Sequence, residues 1–546
     1  MMDIDSSGQL EINEQLQLTE RENKMFDYLQ EVNEFGKKNT VMRVAGGWVR
    51  DKLLGRESDD IDIALDNCMG KEFAELVQAY NNTKGISTRG FSVIQSNPEQ
   101  SKHLETATMK IEDVPVDFVN LRAEEYTDSR IPTMKFGTAS EDAHRRDLTI
   151  NSMFYNINER KIEDITGRGI NDLKNKKIRT PLLPLSTFLD DPLRVLRSVR
   201  FASRFRFELD EQLIAAAKEG SVKEGLLNKV SRERFGKEIT GMFQTSGSSV
   251  QDKRYPVYAF RLMQELELLP IIFQLPKDVV IKEKDFLSIG VDRMLQLQRT
   301  FHQVQMRNGN LNAEISHEER MHMYLSAFFT TLHDYKYKNN KGKYEPASRY
   351  AVLESVKLSG KEADMVELMT DGTYKMIRFL SNYNPPDEEG KYSWSTALLG
   401  DIPRKELGIL VRSCSGKHGA FYRHVTLLAL SMQLPSGSHD VFDDELPEEQ
   451  TKKVYDFYSA FEDRVTTLGL SDAHNLKHLI NGKDVLVHMK LPAGPWLSRV
   501  QELQLEWQLE NPEKGEEDCI RYLLSLKEDP EIVKLIDEGR RKKARQ

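Results

Sequence analysis

The sequence predicts an α+β protein in which an N-terminal domain with a mixed sheet precedes a long series of helices. Between residue 41 and about residue 180, short alternating apolar segments are separated by glycines and prolines, a pattern typical of strands. Beyond Pro192, apolar residues recur at helical spacing. A chain of 546 residues is long enough for several domains with more than one core.

The first element is a strand that runs into a glycine pair and a short basic helix. The segment VMRVAGGWVRDKLL (41–54) places Gly46 and Gly47 at the junction. Because glycine has no side chain, backbone amides there can approach an anion beside a helix N-terminus. Arg50 lies on the first turn, where its guanidinium can hold a phosphate oxygen with two hydrogen bonds. The segment therefore predicts a phosphate site.

The second element is an acidic strand, DIDIAL (60–65). Its period of two places Asp60 and Asp62 on one face and the isoleucines on the other. Paired carboxylates suit Mg²⁺, which prefers oxygen ligands and often retains substrate phosphates in its shell. Together with the preceding glycine pair, the two aspartates indicate nucleotidyl-transfer chemistry.

A third carboxylate is available on the strand VPVDFVNL (114–121). Asp117 leaves this strand on the face opposite Val114 and Val116. Two interpretations stay open: Asp117 completes the metal site, or it faces solvent.

The segment RRDLTINS (145–152) is the next candidate. Its paired arginines can grip phosphates, while Asp147 and Asn151 can bond ribose hydroxyls. A salt bridge between the acid and its neighbours would produce the same pattern. The pattern therefore leaves both readings open for Arg146, Asp147 and Asn151.

The segment LDDPLRVLRSVRF (189–201) predicts a helix with Pro192 at its first position and Asp191 as its N-cap. At helical spacing, four arginines share one stripe with no acid between them, opposite an apolar face. Such a stripe predicts a surface for phosphates or bases. Its members are Arg194, Arg197, Arg200 and Arg204.

Asp191 and Arg194 are three residues apart and share a helix face. They offer an acceptor beside a donor fork, which matches cytosine and adenine. Guanine and uracil present donor and acceptor in the reverse order, so buried groups would stay unpaired against them. The pair is thus predicted to select bases without a template.

The remaining sequence predicts helices joined by polar loops. We expect loops at 335–348 and 385–393, and a linker at 435–450.

Composition constrains the cellular setting and the partners. Three widely separated cysteines, Cys68, Cys414 and Cys519, exclude a CxxC zinc site and favour a reducing compartment. No segment approaches the roughly 20 apolar residues of a membrane span, and the acidic N-terminus differs from an arginine-rich transit peptide. We therefore expect a cytoplasmic protein, with nuclear and mitochondrial pools left open.

The charge is unevenly distributed. The chain carries a net charge of −9, yet residues 145–206 contain 14 Lys and Arg against 7 Asp and Glu. A focused basic region within an acidic protein suits one bound polyanion.

These motifs, in this order, resemble the class II CCA-adding enzymes, which are tRNA nucleotidyltransferases. The resemblance rests on GGWVRDKLLG with DDIDIA, RRDLTINS, DDPLRVLRSVRF and SRERFGKEI (231–239), and on INGKDVLVHMKLPAGPWLSRVQELQLEW (480–507). The stretches SNPEQSKHLETATMKI (96–111) and VDFVNLR (116–122) are similar to the eukaryotic, fungal-type branch. One departure is Asp190, where many relatives have Glu.

The resemblance implies a seahorse-like molecule that adds C, C and A to tRNA 3′ ends from CTP and ATP with Mg²⁺. Its implied parts are an N-terminal extension (1–40), a catalytic nucleotidyltransferase head (41–180), a helical neck that recognises the base (181–250), a helical body (251–434), and a linker with a tRNA-contacting helical tail (435–546). By position it implies that Asp60 and Asp62 bind metal, Gly47 and Arg50 contact triphosphate, Arg146 and Asp147 bind nucleotide, Asp191 and Arg194 read the base, and Arg197 and Arg200 lie alongside.

Two other functions remain as alternatives. A poly(A) polymerase on the same scaffold would share every motif of the head. A catalytically silent tRNA-binding protein is disfavoured, because such a protein has no reason to keep Asp60 and Asp62 close together.

Overall fold

The computed structural model describes residues 9–86, 90–94, 106–125, 133–243, 254–307, 309, 311, 314–388, 392–416, 419–435 and 437–543. The chain forms two compact units, Met1–Gln274 with Ser355–Lys357, and Leu275–Glu354 with Leu358–Gln546. Much of the fungal-type stretch 96–111, at residues 96–105, lies outside the described residues. The predicted α+β class is confirmed.

The first unit contains a mixed sheet. Its strands are β1 (Met42–Ala45), β2 (Ile61–Leu65), β3 (Ser92–Ile94), β4 (Thr106–Ile111), β5 (Val114–Asn120), β6 (Arg122–Glu125), β7 (Thr133–Phe136), β8 (Phe154–Asn156), β9 (Lys161–Glu163), β10 (Lys177–Ile178) and β11 (Glu208–Leu209). Seven of them form one sheet in the order β3-β4-β5-β2-β1-β8-β9, while β6 with β7 and β10 with β11 form separate pairs.

Within the large sheet, β2 and β5 pair in parallel, whereas its other neighbouring strands are antiparallel. Their register places Asp62 directly beside Asp117. The alternation read from the sequence holds here, because Ile61 and Ile63 are buried while Asp62 is half-buried. The sheet thus presents its acidic residues away from the core.

Helices of the first unit cover the sheet and continue beyond it. They are α1 (Glu20–Gly36), α2 (Gly47–Leu53), α3 (Gly70–Lys84), α4 (Ala139–His144), α5 (Gly169–Lys174), α6 (Pro184–Asp190), α7 (Leu193–Phe205), α8 (Glu211–Lys218), α9 (Gly220–Lys229), α10 (Arg232–Phe243), α11 (Pro256–Glu265) and α12 (Leu269–Ile272), with a 3₁₀ turn at Thr149–Asn151.

The predicted N-terminal extension contributes α1. A capping box between Thr19 and Glu22 begins this helix. Phe26 on α1 is fully buried and meets Trp48 of α2 with ring centroids 5.9 Å apart. The indole Nε1 of Trp48 also donates to Glu22 Oε1 at 3.2 Å. Helix α1 therefore packs against α2 and supports its position.

The beginning of α7 differs from the sequence prediction. Asp191 is not its N-cap; that position belongs to Pro192, and Asp191 is the C-cap of α6. The Asp191 amide donates to Thr187 O at 3.3 Å, so α6 continues to this point and α7 begins one residue later than expected. The Asp191 carboxylate still accepts a bond from the Leu193 amide at 3.2 Å.

The second unit is mainly helical. Its helices are α13 (Phe286–Arg307), α14 (His317–Phe329), α15 (Ala347–Tyr350), α16 (Gly360–Tyr383), α17 (Arg404–Ser413), α18 (Tyr422–Gln433), α19 (Glu448–Thr467), α20 (Gly482–Met489), α21 (Trp496–Glu510), α22 (Glu516–Ser525) and α23 (Pro530–Lys543). Shorter 3₁₀ turns lie at Thr330–Leu332, Thr396–Asp401, Ala473–Asn475 and Leu526–Glu528, and a π-helical turn spans Ala351–Ser355.

The prediction of a loop is wrong for the segment 335–348. It contains a hairpin of β12 (Lys336–Lys338) and β13 (Tyr344–Pro346). A second small antiparallel pair is formed by β14 (Ser415–Gly416) and β15 (Gly419–Ala420). The strands of both pairs are only two or three residues long, so no apolar alternation marks them in the sequence. Among the described residues, no helix combines the length and apolar content needed to cross a membrane.

Candidate active site

A polar cavity of about 1270 Å³ opens in the first unit, between the sheet and helices α2, α7 and α10. It brings together most of the residues that the sequence singled out. Those lining it are Gly47, Arg50, Asp60, Asp62, Arg146, Asp147, Asn151, Asp191, Arg194 and Arg197. Gly46, Asp117 and Arg200 are not among its lining residues.

Gly46 acts through its conformation. Its backbone adopts φ 66° and ψ −107°, which lies outside the regions open to residues with a side chain. Its amide donates to Met153 O at 2.9 Å, so this amide is already engaged. A Cβ at this position would lie 2.6 Å from Nη1 of Arg146 and 3.0 Å from the Asn151 carbonyl. The glycine therefore allows RRDLTINS to approach the turn.

The two aspartates of the acidic strand face the cavity. Asp60 is exposed just before β2, and Asp62 is half-buried within it. Burial, together with the negative charges of Asp60 and Asp117, raises the pKa of Asp62 to about 6. This electrostatic conflict is relieved by a cation, so the donor set fits a divalent metal.

Asp117 contributes charge from the neighbouring strand. It lies beside Asp62 in register, and its Oδ1 accepts a 2.6 Å bond from Thr108 Oγ1. Within the described part of the chain, no group of three or more His, Cys, Asp and Glu side chains is arranged to hold a metal ion. The cavity therefore offers a pair of carboxylates, Asp60 and Asp62, as candidate metal ligands. The role of Asp117 as a third ligand stays a prediction.

Arg50 is more enclosed than the sequence suggested. Only 3% of it is exposed. Its Nε donates to Asp51 at 2.8 Å, its Nη1 donates to Asn151 Oδ1, and its guanidinium carbon lies 5.1 Å and 4.9 Å from the rings of Phe201 and Phe205. Burial lowers its pKa, and Asp51 opposes that shift. Its contact with triphosphate stays a prediction.

Asp142 on α4 holds the two arginines of the RRD segment. Its side chain is buried, and Oδ2 accepts from Nε and Nη2 of Arg146 at 3.1 Å and 2.8 Å. Oδ1 accepts from Arg145 Nε at 2.7 Å. Burial works against its ionisation, but Arg146 and Arg145 outweigh it and lower the pKa. The arginines are thereby fixed before any ligand binds.

Asp147 is buried as an anion. Burial again disfavours its charge, but Arg197, Asn151 and Arg194 hold its pKa at about 2. Its Oδ1 accepts from Asn151 Nδ2 at 3.0 Å, and its Oδ2 receives Arg197 at 2.7 Å and 2.6 Å. Asp147 therefore forms a salt bridge with Arg197 on α7, whereas the sequence had left open a salt bridge with its neighbours in the motif.

The arginine stripe of α7 meets acids from other parts of the chain. Nε of Arg200 donates to Glu238 on α10 at 2.6 Å, and Arg204 lies 3.6 Å from Asp51. The helix itself carries no acid between these arginines, but packing brings acids of other elements against them. The opposite face, Val195, Leu196, Val199 and Ala202, is fully buried, as the periodicity predicts.

The predicted base-reading pair, Asp191 and Arg194, is held from two sides. Asp191 Oδ2 accepts from Arg234 Nη2 at 2.7 Å. Arg194 is 9% exposed, and its Nη2 donates to the carbonyl of Arg145 at 2.7 Å. Both side chains line the cavity, with their polar ends directed by contacts outside the pair.

Several residues of the site were not assigned by the sequence. Asp142, Arg234 and Glu238 carry the contacts above, and Arg122 and Lys237 also line the cavity. Arg234 and Glu238 lie in SRERFGKEI with a spacing of four, which places them on one helix face. That spacing was the available signal, but it does not name their partners.

Known proteins resemble this chain over its N-terminal part and over nearly its whole length. The family model for the poly A polymerase head domain matches residues 42–179. A Candida glabrata protein named CCA tRNA nucleotidyltransferase, mitochondrial, is 32% identical over 543 residues, covering 94% of this chain and 96% of that protein. The Saccharomyces cerevisiae protein of the same name is 32% identical over 518 residues, covering 89% and 88%.

Solved structures share the fold. The Thermotoga maritima CCA-adding enzyme complexed with tRNA matches with a TM-score of 0.56 at 19% identity, covering 94% of this chain and 97% of that one. The fold and the paired aspartates in an arginine-lined cavity define a nucleotidyltransferase. The identity to the fungal proteins along nearly the whole chain is more specific. The chain belongs to the family of CCA tRNA nucleotidyltransferases.

Proposed function

We propose that this enzyme adds C, C and A to the 3′ end of tRNA, using CTP and ATP and releasing pyrophosphate. One observation carries the proposal: Asp60 and Asp62 line the same cavity as Asp191 and Arg194. A carboxylate pair suited to a metal-bound triphosphate therefore lies within one pocket with a donor and acceptor pair suited to a base.

The metal is proposed to be Mg²⁺, held by Asp60 and Asp62. When bound, it would neutralise phosphate charge and activate the attacking hydroxyl. The residues of the chain orient the nucleotide. We assign Arg146 to phosphate binding, and the hydrogen bond from its Nη2 to Asp142 at 2.8 Å supports this assignment by fixing the guanidinium. We assign Asp147 and Asn151 to the sugar, and the hydrogen bond between them at 3.0 Å sets their direction.

Base choice is assigned to Asp191 and Arg194. An ionised carboxylate accepts the amine of cytosine or adenine, and a guanidinium donates to the ring nitrogen. Uracil and guanine would set acceptor against acceptor and donor against donor. Leaving buried polar groups unpaired is costly enough to reject them.

The cellular location follows less directly. Two of the fungal relatives are named mitochondrial. We propose a mitochondrial pool beside the predicted cytoplasmic one. Tagging the chain and imaging it against compartment markers tests this, and the absence of mitochondrial signal contradicts it.

The function is tested with purified protein, tRNA lacking its 3′ CCA, Mg²⁺, and each nucleoside triphosphate singly and together. Sequencing the extended ends should show addition that stops at CCA with CTP and ATP. Long A tails would instead identify a poly(A) polymerase, and tRNA binding without extension would identify a silent binding protein.

The metal assignment is tested by Asp60→Asn and Asp62→Asn. Both keep the side-chain shape and remove the charge, so we expect loss of incorporation with tRNA binding largely retained. Asp113→Asn is the matched control, since Asp113 is exposed on the turn between β4 and β5 and is not among the cavity-lining residues. Wild-type incorporation in either cavity variant would refute the assignment.

A further inference from the structure

Helices α7 and α10 face each other through two ion pairs of opposite polarity. Asp191, just before α7, pairs with Arg234 on α10 at 2.7 Å. Within α7, Arg200 pairs with Glu238 on α10 at 2.6 Å. Because Arg234 and Glu238 are four residues apart, one face of α10 carries both partners. This charge pattern fixes the register between the two helices.

The helices approach closely at a glycine. A Cβ at Gly241 of α10 would lie 2.8 Å from Cδ of Arg200. The lack of a side chain there lets α10 pack closely against α7. The position of Arg234 relative to Asp191 is therefore set by the packing of α10 and not by a loop.

Both carboxylate oxygens of Asp191 already have partners. Oδ1 accepts from the Leu193 amide at 3.2 Å, and Oδ2 accepts from Arg234 at 2.7 Å. The hydrogen bond from the Leu193 amide is long, so it restrains rotation of the carboxylate only weakly. The charge-assisted bond from Arg234 is the shorter one and restrains that rotation.

We propose that Arg234 is a positioning residue that sets the orientation of the Asp191 carboxylate and thereby the choice of base. This inference rests on the proposed function and names a residue to which that function gave no role. Without Arg234 the carboxylate turns, so its lone pairs no longer face the position of the base amine. The acceptor that rejects uracil is then misdirected, and discrimination falls more than chemistry does.

The ion pair between Arg234 and Asp191 is partly exposed, so its removal can be tested without unfolding the protein. The Arg234 side chain is 40% exposed and that of Asp191 is 23% exposed. Partly exposed ion pairs contribute little to folding. Replacing Arg234 should therefore leave the thermal unfolding midpoint close to wild type, which separates an effect on selectivity from loss of structure.

The experiment measures single additions of CTP and UTP to tRNA lacking CCA, giving kcat and KM for each. We expect Arg234→Met to reduce the preference for CTP over UTP by about tenfold, and Arg234→Lys to restore part of it. Arg232→Met is the matched control. Arg232 lies on the same helix but donates to the carbonyls of Ile271 and Ile272 at 2.9 Å and 3.3 Å, so selectivity should not change.

A double-mutant cycle tests whether Arg234 acts through Asp191. In an Asp191→Asn background, Arg234→Met should change selectivity little further, because the group it positions is altered. Additive effects would overturn the inference, as would an equal rise in KM for CTP and UTP, which indicates direct phosphate contact. Unchanged selectivity in Arg234→Met also refutes it. A wild-type enzyme that makes no CCA would refute the proposed function itself.

Discussion

Gly46→Ala is the substitution that tests most directly how the turn supports the site. The backbone of the introduced alanine must adopt φ 66° and ψ −107°, a conformation that costs about 1–3 kcal/mol for a residue with a side chain. The added Cβ would also lie 2.6 Å from Nη1 of Arg146, which is well inside contact distance. Since Arg146 is a flexible side chain, it would move before the backbone does.

The two effects have separate magnitudes. Displacing Arg146 weakens its bonds to Asp142 at 2.8 Å and 3.1 Å, which adds about 1 kcal/mol to the strain. We therefore expect the free energy of unfolding to fall by about 2–4 kcal/mol. A guanidinium displaced by about 1 Å from its place in the site should lower kcat/KM for CTP about 100-fold.

Gly55→Ala is the control that separates backbone strain from the displacement of Arg146. Gly55 also has positive φ, at 65°, but a Cβ there would meet no atom within 4 Å. It should lose about 1 kcal/mol of stability and keep wild-type kcat/KM. Denaturant unfolding and steady-state CTP addition measure both quantities. If Gly46→Ala and Gly55→Ala have the same kcat/KM, the reasoning about Arg146 is refuted.

Three further predictions concern the second unit or the whole chain. Burial lowers the pKa of His322 and His424, so their contribution to stability is present above about pH 6.5 and is lost as pH falls. The urea midpoint of unfolding should therefore drop on acidification. A His322→Leu, His424→Leu variant whose midpoint falls with pH as steeply as that of the wild type would contradict this. Arg299 is buried and donates to carbonyls of residues 438–443, so Arg299→Met should cost about 3 kcal/mol and speed proteolysis there, whereas an unchanged cleavage rate argues against it. The three cysteines are buried and free, and burial raises each pKa; a thiol reagent should label them only on unfolding, and rapid labelling of the native chain would refute this.

The sequence predicts elements well where burial is one-sided. Strand β2 follows from its period of two, and α7 follows from a buried apolar face opposite its arginines. The hairpin of β12 and β13 has no such pattern, because its central residues Tyr337 and Glu345 pair through a hydrogen bond at 2.8 Å on a polar surface. Gly342 in its turn has a positive φ of 76°, but a glycine at that place in the sequence is equally compatible with a loop.

In the candidate site, sequence analysis identified residues within motifs but not their partners. Asp191 and Arg234 are 43 residues apart, and Asp147 and Arg197 are 50 apart. Periodicity reports which side chains share a face of one element, whereas these contacts join different elements. They are visible only after the helices have packed.

The same limit explains why the local charge count overstated the basic character of the site. The excess of +7 in residues 145–206 omits Asp51, Asp142 and Glu238, which lie outside that segment and pair with arginines inside it. A guanidinium has five N–H donors, so each pair leaves donors for a ligand while fixing their direction. Arginines lining one cavity would otherwise repel each other and spread apart. The site therefore depends on preorganised donors more than on net positive charge, which is consistent with a nucleotide cavity in a chain of net charge −9.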